Sequence, residues 1–119
     1  MTVAECYTAL EADYQDVMSR LLTEERVIKY LRKVLTDENQ QDMLMALEKK
    51  DYEAAFRYVH NMKGLCLNLG LSRFFACSSE LCEALRNGEP AVDIQPMLKA
   101  VQEEYDRTIE AIEKIDSLK

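Results

Sequence analysis

The sequence predicts an all-α fold, an up-down four-helix bundle with N-terminal helices packed across one end. Three glycines and two prolines in 119 residues leave too few turn residues for an all-β fold. Apolar residues recur three and four positions apart along most of the chain, as on one face of a helix. The predicted loops are short, so neighbouring helices should run antiparallel. We expect one domain, with a helical cap over residues 1–36 and the bundle over residues 37–119.

Two helices are predicted in the cap. Thr2 and Glu5 form a capping box that opens a helix running to about Leu21. Its apolar stripe comprises Val3, Tyr7, Leu10, Tyr14, Val17 and Leu21. Thr23, followed by two glutamates, predicts the N-cap of a second, short helix. The apolar stripe of this second helix comprises Val27, Leu31 and Val34.

The first two bundle helices follow from caps and breakers. The third helix of the chain should start at Thr36 or Asp37. It should turn Met43, Leu44 and Leu47 inward and carry Lys49 and Lys50 in its last turn. Asp51 predicts the N-cap of the fourth helix, which should end near Leu69, before Gly70.

The last two helices are predicted in the same way. Ser72 should cap the fifth helix, which ends before Gly88 and buries Phe74, Cys77, Leu81 and Leu85. Asp93 should cap the sixth, since Pro96 is tolerated in a first helical turn. Its core stripe comprises Leu98, Val101, Tyr105, Thr108, Ile112 and Ile115.

Composition excludes several classes of function. A net charge of −7 and a pI near 4.8 argue against nucleic-acid binding, which needs a basic surface. The N-terminus lacks the pattern of a signal peptide and no apolar run is long enough for a membrane span, so we expect a cytoplasmic protein. The four cysteines lack the spacing of a zinc site and should be buried as small apolar residues. We therefore expect neither a metal nor a cofactor.

Charge is unevenly distributed along this acidic chain. Residues 54–79 contain no Asp or Glu but include Arg57, Lys63 and Arg73. This window has two explanations that the sequence leaves open. It could form a local binding site for an anion, or it could be a half-buried pair of helices that tolerates few charges of either sign.

The fourth helix carries the only histidine of the chain. If its apolar stripe faces the core, His60 lies about 135° away and Gly64 lies nearly opposite the core, with Lys63 on the flank. A lone surface histidine usually has no special role. Gly64 changes this interpretation, because a glycine inside a helix costs about 1 kcal/mol relative to alanine and this one ends no helix. Its missing side chain would leave room beside His60 for a transferred group or a partner.

Two large apolar side chains lie off the core stripe, on the same side of the helix as His60. They are Phe56, one turn before the histidine, and Leu67, two turns after it. Exposed apolar residues near a reactive group suggest a docking surface. The alternative is that the N-terminal helices cover both of them.

Three segments together resemble the histidine-containing phosphotransfer (HPt) domain family. They are His60-Asn61-Met62-Lys63-Gly64, Asn68-Leu69-Gly70 and Leu81-Cys82-Glu83-Ala84-Leu85-Arg86. The family's signature is a His-x-x-Lys-Gly run on one helix of a four-helix bundle, followed by a Leu-Gly turn. The resemblance is strongest over residues 51–87. It implies that His60 is the phosphoacceptor of a two-component phosphorelay, taking a phosphoryl group from a receiver-domain aspartyl phosphate and passing it on.

The residue types fit this chemistry. A histidine side chain is largely neutral at physiological pH, so one ring nitrogen has a lone pair for attack on phosphorus. Lys63 would offset the negative charge on the phosphoryl oxygens, Gly64 would leave them room, and Arg57 would add positive potential. The chain has no Gly-rich phosphate loop, so we expect a phosphoryl carrier without nucleotide-dependent kinase activity.

The resemblance also implies partners. These are response-regulator receiver domains and a hybrid histidine kinase, bound by a compact monomer, although the long last helix could support a dimer. A sensor-kinase dimerisation helix pair usually has a proline shortly after its histidine, whereas the next proline here is Pro90. The phosphotransfer domain of a chemotaxis kinase has a similar helix but is fused to a catalytic domain, and we expect a separate module.

Two alternative functions do not involve phosphotransfer. A bundle that binds receiver or kinase domains without accepting phosphate remains an alternative, and the presence of His60, Lys63 and Gly64 together argues against it. A di-iron bundle needs several inward His and Glu residues, which one outward histidine does not provide.

Overall fold

The computed structural model describes residues 1–118, and that part of the chain contains helices and no strand. The prediction of an all-α fold is therefore confirmed. Lys119, the last residue of the predicted bundle, lies outside the described residues. In chain order the elements are α1 (Val3–Ala9), α2 (Tyr14–Leu21), α3 (Glu24–Thr36), α4 (Asn39–Glu48), α5 (Tyr52–Leu69), α6 (Ser72–Leu85), α7 (Gln95–Glu113) and a short 3-10 helix (Asp116–Leu118).

The first predicted helix is wrong as a single element, because the chain leaves the helical path after Ala9. Thr2 and Glu5 form the expected capping box. Glu11 then adopts a left-handed conformation, with φ of 53°. The Asp13 carboxylate accepts a hydrogen bond from the Asp16 backbone N–H at 2.9 Å and so begins α2. An Asp N-cap inside an otherwise continuous apolar stripe is a local signal that the periodicity argument overlooked.

The next two helices match the prediction in part. Helix α3 begins after Thr23, whose hydroxyl accepts from the Arg26 backbone N–H at 3.2 Å, as expected. Helix α4 starts at Asn39, later than predicted, because the Asp37 carboxylate accepts from the Asn39 N–H at 2.8 Å in a turn before the helix. The inward placement of Leu44 is wrong, since this side chain is 37% exposed. Met43 is buried as predicted, together with Gln40 and Ala46.

The ends of α5 agree closely with the sequence. The Asp51 carboxylate accepts from the Ala54 N–H at 3.1 Å, which confirms the N-cap. Gly70 ends the helix in a left-handed conformation, with φ of 68°. A glycine is favoured there because it has no Cβ to clash with the preceding turn.

The starts of α6 and α7 are each shifted by one residue from the prediction. Ser72 is the first residue of α6, and Leu71 occupies the N-cap position. Helix α7 begins at Gln95, whose N–H donates to the Asp93 carboxylate at 3.0 Å, and Pro96 lies in the first turn as expected. Ile115 is buried but lies beyond the end of the helix.

The core is built from all seven α-helices. Helix α5 packs against both α4 and α6, α6 packs on α7, and α3 contacts α2, α5 and α7. Burial of these apolar side chains provides the main driving force for the fold. Each helix contributes at least one fully buried residue, for example Tyr7, Val17, Leu31, Met43, Val59, Leu81 and Ile112.

Helices α1 and α2 and the loop between them donate hydrogen bonds to backbone carbonyls at the C-terminal end of α5. The Tyr7 hydroxyl donates to the Leu69 carbonyl at 2.7 Å, and the Asp13 N–H donates to the Gly70 carbonyl at 2.9 Å. The Arg20 guanidinium donates to the carbonyls of Leu67 and Asn68, each at 2.8 Å. These contacts satisfy carbonyls that a helix end leaves without intrahelical partners. They fix the N-terminal helices at one end of α5 and leave the middle of this helix accessible.

Candidate functional site

The core stripe of α5 determines which of its residues face outward. Its members are all buried, and they are Ala55, Val59, Met62, Cys66 and Leu69. His60, Asn61 and Gly64 are exposed on the opposite side of the helix. The periodicity prediction that the histidine faces outward is therefore confirmed.

The surroundings of Gly64 are open. A Cβ built on this residue would meet no heavy atom within 4 Å beyond its own helix backbone. The backbone of Gly64 does not have a positive φ. Neither crowding nor backbone conformation thus requires a glycine here, although glycine is among the least favourable residues inside a helix. The space lies one helical turn from His60.

An aromatic ring lies beside the histidine. The ring centroids of Phe56 and His60 are 5.8 Å apart, with the ring planes inclined at 36°. Phe56 is half-buried against the core. Both rings lie along a shallow surface depression that also includes Arg57, Tyr58 and Asn61. The structure therefore brings together three of the predicted site residues, Phe56, Arg57 and His60.

Helix α6 and the residue that follows it add two side chains, Phe75 and Arg86, that the sequence interpretation did not place at the site. The Arg86 guanidinium lies 5.4 Å from the centroid of the Phe56 ring. The Lys63 ammonium lies 5.9 Å from the centroid of the Phe75 ring, and Lys63 is half-buried. Both distances are within the range of cation–π attraction. Lys63 is thus directed toward the junction between α5 and α6.

The charges at this junction influence one another. Arg86 is ion-paired with Glu83, three residues earlier on α6. Hydrogen bonding from Arg86 lowers the pKa of the Glu83 carboxyl, and the charge of Lys63 lowers it further. A carboxylate is therefore available to hold Arg86 while no other anion is present.

Two predicted residues lie away from His60. They are Arg73, from the segment without acids, and Leu67, from the predicted docking surface. Arg73 forms ion pairs with Glu11 and Glu104 at the start of α6, so it belongs to the contact between α6, α7 and the N-terminal segment. Leu67 is 58% exposed, which shows that the N-terminal helices do not cover it. It lines a second depression with Phe75, closer to the end of α5 than His60 is.

The cysteines have the surroundings of structural residues. All four thiols are free; Cys6, Cys66 and Cys82 are buried, whereas Cys77 is only half-buried, contrary to the prediction that all four are buried. Burial raises the pKa of the thiols of Cys6 and Cys77 to about 11 each. Within residues 1–118, no group of three or more His, Cys, Asp or Glu side chains has an arrangement that could hold a metal ion.

Comparison with known proteins identifies the family. The family model described as the Hpt domain matches residues 29–114, which is most of the chain. The chain belongs to the Hpt domain family. The matched span runs from the first half of α3 to the residue after α7 and includes His60, Lys63 and Gly64. Membership of the Hpt domain family implies histidine phosphotransfer in phosphorelays. Searches of curated proteins and of solved structures found no match.

Proposed function

We propose that this Hpt domain accepts a phosphoryl group on His60 from the aspartyl phosphate of a response-regulator receiver domain and passes it on. One observation carries this proposal. The only histidine of the chain is exposed on α5, inside the matched family domain, and lies one turn from the open side of Gly64. A nucleophile at such a position can meet a partner's phosphoryl group without rearrangement of the fold.

The transfer is a single displacement at phosphorus. The lone pair of the imidazole Nε2 forms the N–P bond while the O–P bond to the partner's aspartate breaks. The electron pair of that bond stays on the aspartate oxygen, which becomes a carboxylate, and the ring keeps its proton on Nδ1. The reverse displacement delivers the phosphoryl group to a second receiver domain. The chain needs no nucleotide for either step and acts as a carrier.

Positive side chains would stabilise the charge on the phosphoryl oxygens. Lys63 is one turn from His60 and has a flexible stem that can direct its ammonium toward the oxygens. Arg57 shares the depression with the histidine, and Arg86 reaches the same area by stacking on Phe56. Arg86 would exchange its carboxylate partner, Glu83, for the doubly charged phosphoryl group.

A receiver domain would dock around the histidine. We assign Phe56, Arg57 and Leu67 to this docking surface, since Phe56 contacts the imidazole and Leu67 is the most exposed large apolar residue of α5. A hybrid histidine kinase would be a second partner through its own receiver domain. Apolar residues near a reactive group provide contact area that excludes water from the transfer.

The architecture proposed for this function is a cytoplasmic up-down four-helix bundle over residues 37–119 with a helical cap over residues 1–36. Two findings support the bundle: α5 packs against both α4 and α6, and α6 packs on α7. The backbone contacts of Tyr7, Asp13 and Arg20 with one end of α5 support the cap.

Intact-mass spectrometry after mixing the protein with phosphorylated receiver domains tests the proposal. We expect an acid-labile phosphoryl adduct on the wild type and none on His60→Gln, because the amide has no nucleophilic ring nitrogen. An adduct that survives in His60→Gln would place the phosphoryl group on another residue. If no receiver domain in a broad set phosphorylates the wild type, the protein is instead an interaction module that binds receiver or kinase domains without accepting phosphate.

A further inference from the structure

Helix α3 differs in charge from the rest of the molecule. In a chain of net charge −7, it carries four cations and only two carboxylates. All four cationic side chains are exposed. Three of them are spaced three and then four residues apart, which places them in one row along the exposed side of the helix. This basic stripe comprises Arg26, Lys29 and Lys33.

In the described part of the chain, the cations of the basic stripe form no ion pair. By contrast, Arg20, Arg73, Arg86 and Arg107 are each ion-paired. Among residues 1–118, none of the ion pairs involves a residue of the basic stripe, and Lys33 only lies over the ring of Tyr30, at 4.6 Å. Arg26 and Lys29 also line an open groove that extends to Ser117 in the 3-10 helix. The stripe is therefore an exposed row of cations next to a concave surface.

Helix α7 carries the complementary row. Four acids are exposed opposite its buried face, at a spacing of three, four and three residues, and they are Glu103, Asp106, Glu110 and Glu113. Their internal contacts are weak. Asp106 accepts a hydrogen bond from Gln102, and Glu110 meets Lys114 at 3.3 Å while both side chains remain more than half exposed. Ion pairs at that exposure hold side chains loosely, so this acidic stripe is available to another molecule.

The two stripes match in spacing and belong to neighbouring helices. Three and then four residues separate the cations, and three successive acids repeat that spacing in either direction along α7. Helix α3 packs against α7 and against the 3-10 helix within one protomer.

We propose that a second copy of this chain docks on this surface, with the basic stripe of each copy against the acidic stripe of the other. If a two-fold axis relates the two copies, both contacts form at once and the assembly is a closed dimer. This differs from the compact monomer that the family resemblance implies.

Ionic strength should control this dimer. Each copy carries a net charge of −7, so the copies repel each other at long range. At about 0.1 M salt the Debye length is about 10 Å, which screens that repulsion but preserves ion pairs in contact. At about 1 M salt the Debye length falls to about 3 Å and the contacts themselves weaken. The dimer should therefore form at the lower concentration and dissociate at the higher one.

A charge-swap experiment tests the pairing by sedimentation velocity. One double variant, Arg26→Glu with Lys29→Glu, reverses the basic stripe, and another, Glu110→Lys with Glu113→Lys, reverses the acidic stripe. All four substituted side chains are exposed, so both variants should fold. We expect each variant alone to be monomeric, with self-association weakened about tenfold or more. An equimolar mixture of the two should form a heterodimer, because both of its contacts are again complementary.

The control matched to Arg26→Glu with Lys29→Glu is Lys49→Glu with Lys50→Glu, which makes the same change in net charge on exposed residues after α4 and should leave the dimer intact. A wild type that is monomeric at about 0.1 M salt, or a mixture of the two reversed variants that stays monomeric, would overturn the proposal. A dimer that persists in either reversed variant alone would also overturn it. His60 lies on α5, so phosphoryl acceptance can be measured separately in every variant.

Discussion

Two glycines in and next to α5 have opposite surroundings. A Cβ added at Gly70 would lie 2.8 Å from the Asp13 carbonyl oxygen, and the residue has φ of 68°. A Cβ added at Gly64 would meet nothing within 4 Å beyond its own helix. Gly70 belongs to what we term the attached end of α5, with Tyr7 and Asp13. Gly64 belongs to the histidine face, with His60.

The difference separates a glycine that the fold requires from one that it does not. At the attached end, backbone conformation and the approach of α2 both exclude a side chain. On the histidine face, alanine would fit the helix and would be favoured by its higher helix propensity. A glycine at a position where the fold would accept alanine points to a requirement outside the fold, and the requirement we propose is phosphoryl transfer. Substitutions at the attached end should therefore change mainly stability, and substitutions on the histidine face should change mainly phosphoryl transfer.

The largest expected effect is that of Gly70→Ala. Left-handed backbone costs a residue with a Cβ about 1–2 kcal/mol, and the contact with Asp13 adds strain, so we expect about 2–4 kcal/mol of destabilisation. Denaturant unfolding measures this change. The control is Gly88→Ala, where φ is 95° but a Cβ meets nothing within 4 Å, so that only the backbone cost applies. Equal losses in the two variants would show that the contact with Asp13 imposes no constraint.

Next in size is Tyr7→Phe, which removes the hydroxyl that donates to Leu69. The ring keeps its place in the core, but the buried carbonyl loses its partner, at a cost of about 1–3 kcal/mol. Chemical unfolding should detect this loss, while phosphoryl transfer by the folded protein should not change. Transfer that falls in parallel with stability would show that the attached end and the histidine face are coupled.

The difference in stability between wild type and Tyr7→Phe should also depend on pH. Burial raises the pKa of the Tyr7 hydroxyl above its usual value near 10. The stabilisation from the neutral hydroxyl is therefore fully present below about pH 10 and is lost as the pH rises above it, when the unfolded chain ionises first. The difference in unfolding free energy between wild type and Tyr7→Phe should shrink above that pH. A constant difference would contradict the raised pKa.

On the histidine face, Lys63→Ala should affect transfer more than stability. Removal of the ammonium leaves the phosphoryl oxygens with less positive charge, so we expect transfer to slow about tenfold, equivalent to about 1.4 kcal/mol. Lys99→Ala, an exposed lysine of α7, controls for the change in net charge. Rapid-quench measurement of phosphoryl transfer provides the rate. Wild-type rates for Lys63→Ala would remove this residue from the site.

The sequence predicted those features of the fold that depend on local chemistry. The side-chain caps at Thr23 and Asp51 and the glycine stop at Gly70 follow from contacts within a few residues. The break between α1 and α2 was missed because a non-glycine residue, Glu11, takes the left-handed conformation, and because Asp13 is also held by a hydrogen bond to Gly70. Contacts between residues far apart in sequence leave no periodic signal.

The candidate site shows the same limit. The outward position of His60 and Gly64 follows from the helical period of α5 alone. Arg86 and Phe75 could not be placed, because the sequence does not reveal which side of α5 receives α6. Arg73, which the charge window included, pairs instead with Glu11 and Glu104. Charge along the sequence thus predicts a local potential only after the packing of the helices is known.

The smallest change in stability, and the most direct test of the comparison, is Gly64→Ala. Since nothing lies near the added Cβ and the backbone is helical, the substitution should stabilise the protein by about 0.5–1 kcal/mol. We expect transfer to or from His60 to slow at the same time, because the methyl group enters the space assigned to the phosphoryl oxygens, and Gly64→Leu should slow it further.

Ala76→Gly on the exposed side of α6 is the matched control, since it should lose about 1 kcal/mol of helix propensity without changing transfer. Thermal unfolding and transfer rates on the same samples separate the two effects. A Gly64→Ala protein that is more stable and transfers at the wild-type rate would leave this glycine without a function. One that is less stable would show that the histidine face is constrained by packing, like the attached end.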